Sequence, residues 1–125
     1  MSKILTKQEL HNLAMNHVGE ELEKRGFEFI AINSTLKKHP QFVCGDKDNQ
    51  KYFVIVRVVI LPKNPDHYDV IWMEKFKLHA MQNNAKIFYA GIGLANAENE
   101  ELPLYENEPY LMQYEGIQVI ETNLN

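Results

Sequence analysis

The sequence predicts one α/β domain in which a mixed central sheet is flanked by helices. Three features of the residue order carry this. An amphipathic helical pattern opens the chain, three strand-like runs follow, and a second helical pattern separates these from a further strand-like run. Strands joined by short turns pair antiparallel, whereas a strand reached through a helix lies parallel to its neighbour. This order therefore calls for both pairings in one sheet. At 125 residues the chain has the size of one domain, and such a domain buries enough surface to fold without disulfides or metal. The expected core spans about residues 6–94, with a β-rich tail at about 110–121.

Each element has a local reason. Thr6-Lys7-Gln8-Glu9 is a capping box, in which hydroxyl and carboxylate each accept a free backbone N–H. Leu10, Leu13, Ala14, His17, Val18 and Leu22 follow at helical spacing, and Gly26 supplies a left-handed stop, so a helix is expected over 6–25. Residues 27–33 (FEFIAIN) read as a strand. Residues 41–45 (QFVCG) and 52–61 (YFVIVRVVIL) read as two more, joined by an Asp- and Asn-rich turn. The third run is apolar on both faces, as a central strand is. Pro62 and Pro65 break the chain, and Asp66, with Asp69 three residues on, is expected to open a second helix. Its apolar face is Trp72, Met73, Phe76 and Ala80, and Asn83-Asn84 ends it. Residues 86–94 (KIFYAGIGL) form a strand with Gly91 and Gly93 on one side. Residues 110–114 and 117–120 are expected to form a short hairpin around Glu115-Gly116.

Composition limits the function. Thirteen basic against seventeen acidic residues give a net charge of −4. A non-specific nucleic-acid binder needs the opposite excess to displace counterions from phosphates. A local basic patch stays open, and with it nucleic acid. A single cysteine, Cys44, forms no intramolecular disulfide, which fits a reducing compartment. The N-terminus carries no signal-peptide pattern, and the longest apolar run, residues 53–61, is interrupted by Arg57 and too short to span a bilayer. A soluble, cytoplasmic protein with no membrane partner is expected.

The residue order also resembles a known superfamily. The first helix ends in Gly-Glu-Glu-Leu-Glu-Lys-Arg-Gly-Phe-Glu-Phe-Ile (19–30). Pro40-Gln41-Phe42-Val43 and Phe53-Val54-Ile55-Val56-Arg57 follow, with 14 residues from Gln41 to Ile55. With the αβββαβ order, these segments resemble the core of the PD-(D/E)XK nuclease-like superfamily, which includes restriction endonucleases and Holliday-junction resolvases, over residues 6–94. The resemblance implies a restriction-endonuclease-like fold. It also implies a site at Glu20, Gln41, Ile55 and Arg57. The superfamily's Asp and Glu hold a divalent cation that activates water. Gln41 and Ile55 stand in their places, and Arg57 stands for the Lys. Gln offers one neutral oxygen, Ile none, and Arg stays protonated. Glu20 is then the lone acid, and one carboxylate is a poor cage for a metal. No catalytic residue, metal or cofactor is expected. The chain is also similar to short bacterial proteins that carry the name of one component of a sodium-translocating NADH:quinone reductase. Its residues do not fit that name: an iron–sulfur cluster takes four cysteines, and Gly91-Ile92-Gly93 lacks a third glycine and a following helix.

Other constellations have plain structural readings. His11, His17, His39, His67 and His79 show no metal-ligand spacing, and His17 is expected in the core. Asp66-His67-Tyr68-Asp69 is helix-start chemistry. Ser34 and Thr35 near His39 lack a nucleophile elbow. Cys44 is a small core hydrophobe. Arg57, charged in a central strand, needs either a partner such as Glu20 or Glu21 or an anion-binding pocket. Tyr105, Tyr110, Met112 and Tyr114 serve sheet packing, with an interface as the alternative.

The expected function is a non-catalytic nuclease-like scaffold acting as a binding or assembly module, self-associating or taking a protein partner or small anion. Two alternatives stand beside it. One is a metal-dependent nuclease using Glu20 with Asp46 or Asp48. The other is a non-cleaving nucleic-acid binder using Lys37, Lys38, Arg57, Lys75 and Lys77.

Overall fold

The structure, a computed structural model, describes residues 2–121. Its elements run α1 (Lys7–Lys24), β1 (Glu28–Ile32), β2 (Phe42–Gly45), β3 (Lys51–Ile60), α2 (Val70–Gln82), β4 (Ala85–Asn96), β5 (Tyr110–Gln113) and β6 (Gln118–Ile120). The αβββαβ order is the one expected from the sequence. Strands β1, β2 and β3 pair antiparallel, β3 and β4 pair parallel through the α2 crossover, and β5 and β6 pair antiparallel with β4.

The capping box forms: the Thr6 hydroxyl accepts the Glu9 N–H at 3.1 Å and the Glu9 carboxylate accepts the Thr6 N–H at 2.9 Å. Gly26, at φ 88°, takes the left-handed turn that ends α1. The buried stripe of α1 is His11, Ala14, Met15, Val18 and Leu22. His17 is exposed, with its ring edge on Tyr114, and this corrects the expected core histidine. One position separates it from Val18, and about 100° per residue turns it off the stripe. His11 occupies the core position instead, at 2% exposure.

Side-chain alternation along β3 builds two cores. Val54 and Val56 face α1 together with Phe42, Cys44, Phe88 and Ile92. Phe53 and Ile55 face α2 together with Ile87, Tyr89, Met73 and Ala80. The helices thus cover opposite faces of the sheet. Beside the second core, residues 62–68 cross the sheet closely. A Cβ on Gly91 would collide with the Pro65 carbonyl oxygen, and one on Gly93 with a Leu61 methyl carbon. Both glycines are therefore required by a close approach of backbone to strand. The Tyr89 hydroxyl donates to the same Pro65 carbonyl at 2.6 Å.

Two boundaries differ from the sequence reading. Asp69, rather than Asp66, caps α2: its carboxylate accepts the N–H of Ile71 at 2.8 Å and of Trp72 at 3.1 Å. Asp66 accepts from Gln118 at 2.7 Å. The terminal hairpin is absent too. Gln113 lies opposite Gly93 and Gln118 opposite Tyr89, so β5 and β6 run in one direction along β4 as a single interrupted edge strand. Between these pairs the tail has one residue more than β4, the mark of a bulge, and Gly116 turns there at φ 99°.

The feature that positions the site is a mismatch in length. β2 pairs with residues 51–54 of β3, whereas β4 pairs with β3 from Lys51 to Ile60. Beyond Val54, β3 has a strand on one edge only.

Candidate functional site

A cleft of about 440 Å³ opens where β2 stops. Residues 56–60 of β3 form its floor, and Lys7, Leu10 and His11 of α1 form one wall. Leu36, Lys37 and His39 form the rim, and Trp72 and Lys63 close the other side. The rim loop is tied to α1 by Gln8, whose Nε2 donates to the Ser34 carbonyl at 2.7 Å and whose Oε1 accepts the Leu36 N–H at 2.8 Å. Lys37 sits at the third position of a turn closed by the Lys38 N–H on the Thr35 carbonyl at 3.1 Å, with φ 67°. That conformation favours glycine. A lysine held there keeps its charge at the rim against a local backbone preference.

Gln41 organises the cleft from below. It is fully buried, and its Oε1 accepts the Val56 N–H at 2.7 Å. This fixes the amide, so Nε2 is the donor towards the Lys38 carbonyl at 3.3 Å and His39 Nδ1 at 2.6 Å. His39 Nδ1 must then accept, which leaves its proton on Nε2. The His39 ring packs against Trp72 and Phe76 at 5.3 and 5.0 Å. Burial holds His39 below the ordinary imidazole pKa. A neighbouring amide raises a histidine pKa only when its oxygen faces the ring, and here that oxygen is committed to Val56. Burial, with a smaller contribution from nearby His39, also lowers the His11 pKa. His11 Nε2 is buried without a hydrogen-bond partner. Such a group carries a penalty of about 1–3 kcal/mol unless something occupies the space beside it.

The cleft's charge has one sign. Lys7, Lys37, Arg57 and Lys63 line it, and no carboxylate does, among the described residues. Four cations and two neutral imidazoles suit an anion. They repel a metal ion, and among the described residues no group of three or more His, Cys, Asp or Glu side chains is placed to hold one.

The residues singled out by the superfamily resemblance are only partly gathered here. Arg57 lines the cleft, and its Nη1 donates to the His67 carbonyl at 2.8 Å. Among the described residues it has no acidic partner: Arg57 lies on the α2 face of β3, while Glu20 and Glu21 ride on α1, across the sheet. Glu21 pairs instead with Arg25 at 2.6 Å and accepts from Tyr114. Glu20 is exposed, about 13 Å along the helix axis from His11. Gln41 and Ile55 are both fully buried, Gln41 beneath the rim and Ile55 under α2 against Met73. Asp46 accepts the N–H groups of Asp48 and Gln50, each at 2.9 Å, and the Tyr52 hydroxyl at 2.9 Å. That turn lies before Lys51, about 20 Å along β3 from Arg57. Lys75 and Lys77 ride on α2 outside the cleft, and Lys77 pairs with Glu74 at 3.2 Å. As site residues, His11, Lys7, Lys63 and Trp72 are not marked out by the sequence. The signal for His11 was its spacing of three, four and seven from Ala14, Met15 and Val18.

A second depression, of about 470 Å³, lies between residues 2–4 and 96–109. It is similar in size but chemically poorer. Its carboxylates are Glu98 and Glu108, no cation among the described residues lines it, and Glu108 already accepts from the Ser2 hydroxyl at 3.0 Å. Asn96 is committed to local turns. The cationic cleft is the better candidate because His11, whose Nε2 is buried without a hydrogen-bond partner, is among the residues that line it.

No helix among the described residues is long and apolar enough to cross a membrane. No curated protein and no solved structure is a significant match to the chain. The model of a domain of unknown function, DUF8840, matches residues 8–120, and the chain belongs to that family.

Proposed function

We propose that this protein is a non-catalytic binding module on a nuclease-like scaffold, and that the cleft beside β3 takes an anionic group. One observation carries the reading: Lys7, Lys37, Arg57 and Lys63 converge without a carboxylate on a cleft where His11 Nε2 is buried and unpartnered. In a partly desolvated cleft, charge-assisted hydrogen bonds are roughly twice as strong as neutral ones. A neutral His11 can donate or accept without bringing a further buried charge.

Trp72 is the chain's one tryptophan and lines the cleft, so its emission reports occupancy directly. Titration with inorganic phosphate and pyrophosphate at constant ionic strength is expected to shift that emission saturably. Lys63→Gln is expected to weaken binding by about three- to tenfold. Titration with Mg²⁺ or Mn²⁺ and incubation with branched and single-stranded DNA form the opposing arm. Metal uptake with cleavage that Glu20→Gln abolishes would replace this reading with a metal-dependent nuclease.

A further inference from the structure

The backbone of β3 says more about what enters the cleft. Successive N–H and C=O groups of a strand point to alternate edges. Leu61 donates to Leu94, on the β4 side, at 3.0 Å. Val56 donates to Gln41, on the β2 side, at 2.7 Å. The alternation therefore turns the Val56 carbonyl, both Val58 groups and the Ile60 N–H towards the cleft. β2 ends before it reaches them, and among the described residues no backbone or side-chain group bonds them. The Ile60 carbonyl, by contrast, accepts the Lys63 N–H at 3.1 Å.

An open row of strand donors and acceptors is a template for another strand. The cleft has the corresponding form. Leu10 and His11 reach it from the α1 face of the sheet, and Arg57 and Trp72 from the α2 face. A space lined from both faces is a slot in the plane of the sheet, along the line that β2 abandons at Phe42. Lys7 and Lys37 stand on its α1 side and rim, Arg57 and Lys63 on its other side.

We propose that the slot takes an extended acidic peptide segment of a partner protein, paired as an added strand along residues 58–60 of β3. The proposal rests on reading the cleft as an anion site, and it names the partner's chemistry. The partner's backbone would meet Val58 and Ile60, since Val56 is sealed beside Gln41. Its side chains would alternate between the apolar Leu10 and Leu36 on one side and the Arg57 guanidinium on the other. Charge complementarity selects an acidic strand over a neutral one, since among the described residues the slot is lined by four cationic side chains and no carboxylate.

The test uses three short fluorescein-labelled peptides with blocked ends: one alternating Glu and Val, one alternating Lys and Val, and a Glu–Val peptide N-methylated at alternate amides. Fluorescence anisotropy and Trp72 emission are followed, with inorganic phosphate in parallel. The Glu–Val peptide is expected to bind and the Lys–Val peptide not to. N-methylation, which removes strand pairing and keeps charge, is expected to weaken binding by about tenfold or more. Val58→Pro removes a donor that the sheet itself does not use, so it is expected to stay folded, to lose peptide affinity and to retain phosphate binding. Should that variant unfold, the N-methylated peptide still decides. Equal binding of both Glu–Val peptides would overturn strand addition. Phosphate binding without peptide binding would overturn the proposal and leave the anion site standing, whereas no response to either would overturn both. A dimer of the chain alone that Val58→Pro dissolves would also overturn it, by making a second copy the occupant.

Discussion

Replacing Gln41 by leucine isolates the group that holds the cleft together. The residue is 0% exposed and Val56 only 1%, so the Val56 N–H would lose its acceptor at 2.7 Å with no water at hand. A buried donor left unpaired costs about 1–3 kcal/mol. The Lys38 carbonyl and His39 Nδ1 would lose their donor as well. Leucine keeps much of the volume and adds apolar burial, which offsets a part. The expected loss is about 2 kcal/mol, or roughly 6–10 °C in Tm for a chain of this size. That is well short of the 5–15 kcal/mol typical of a domain, so the variant should fold. Urea melts at pH 7 measure the loss, and amide exchange at Val56 locates it. A loss under about 0.5 kcal/mol with unchanged exchange would refute the assignment. Gln41→Glu is the companion. Its second oxygen would face His39 Nδ1 where the amide donates now, so the ring would have to protonate there. NMR titration should show the His39 pKa higher than in the unsubstituted protein.

Three further outcomes follow from the same geometry. Ile55→Glu, which restores the acid of the superfamily pattern, places a carboxyl at a fully buried position against Met73 and should destabilise by about 4 kcal/mol or more, read by circular dichroism and urea melts. Lys37→Gly relieves the positive φ and removes a rim charge, so melts should show stability unchanged or raised by about 1 kcal/mol while phosphate titration shows weaker binding. The folded-state pKa values of His11 and His39 lie below the ordinary imidazole value of 6.5, so the unfolded chain takes up protons first as pH falls. Their stabilisation is complete above about pH 6.5 and declines below it, so urea melts should weaken between pH 7 and 5. The lowered carboxyl pKa values of Glu9 and Asp46 act in a separate window, below the ordinary values of 4.5 and 3.8.

Of the four residues that the resemblance to a nuclease motif singles out, only Arg57 lines the cleft. Arg57 was legible because a charge amid eight apolar residues must go somewhere. Gln41 was legible as a position but not as a role: which group its amide faces depends on where β2 ends relative to β3. Glu20 and Arg57 looked like partners because the sequence does not say which face of the sheet α1 covers. The sequence favours His17 as the core residue because the apolar stripe of α1 is broad, and choosing His11 needs the rotation of the helix on the sheet.

By itself the sequence determined the element order, the capping box of α1, the left-handed stop at Gly26 and the two-faced burial of β3. Each is set by neighbours a few residues away, through capping, periodicity or backbone preference. Tertiary structure alone decided that β2 is shorter than β3, that the tail is one interrupted strand, and that Lys7, Lys37, Arg57 and Lys63 meet at one slot. Those outcomes depend on register and on the orientation of helices over the sheet, which arise from packing between segments far apart in the chain.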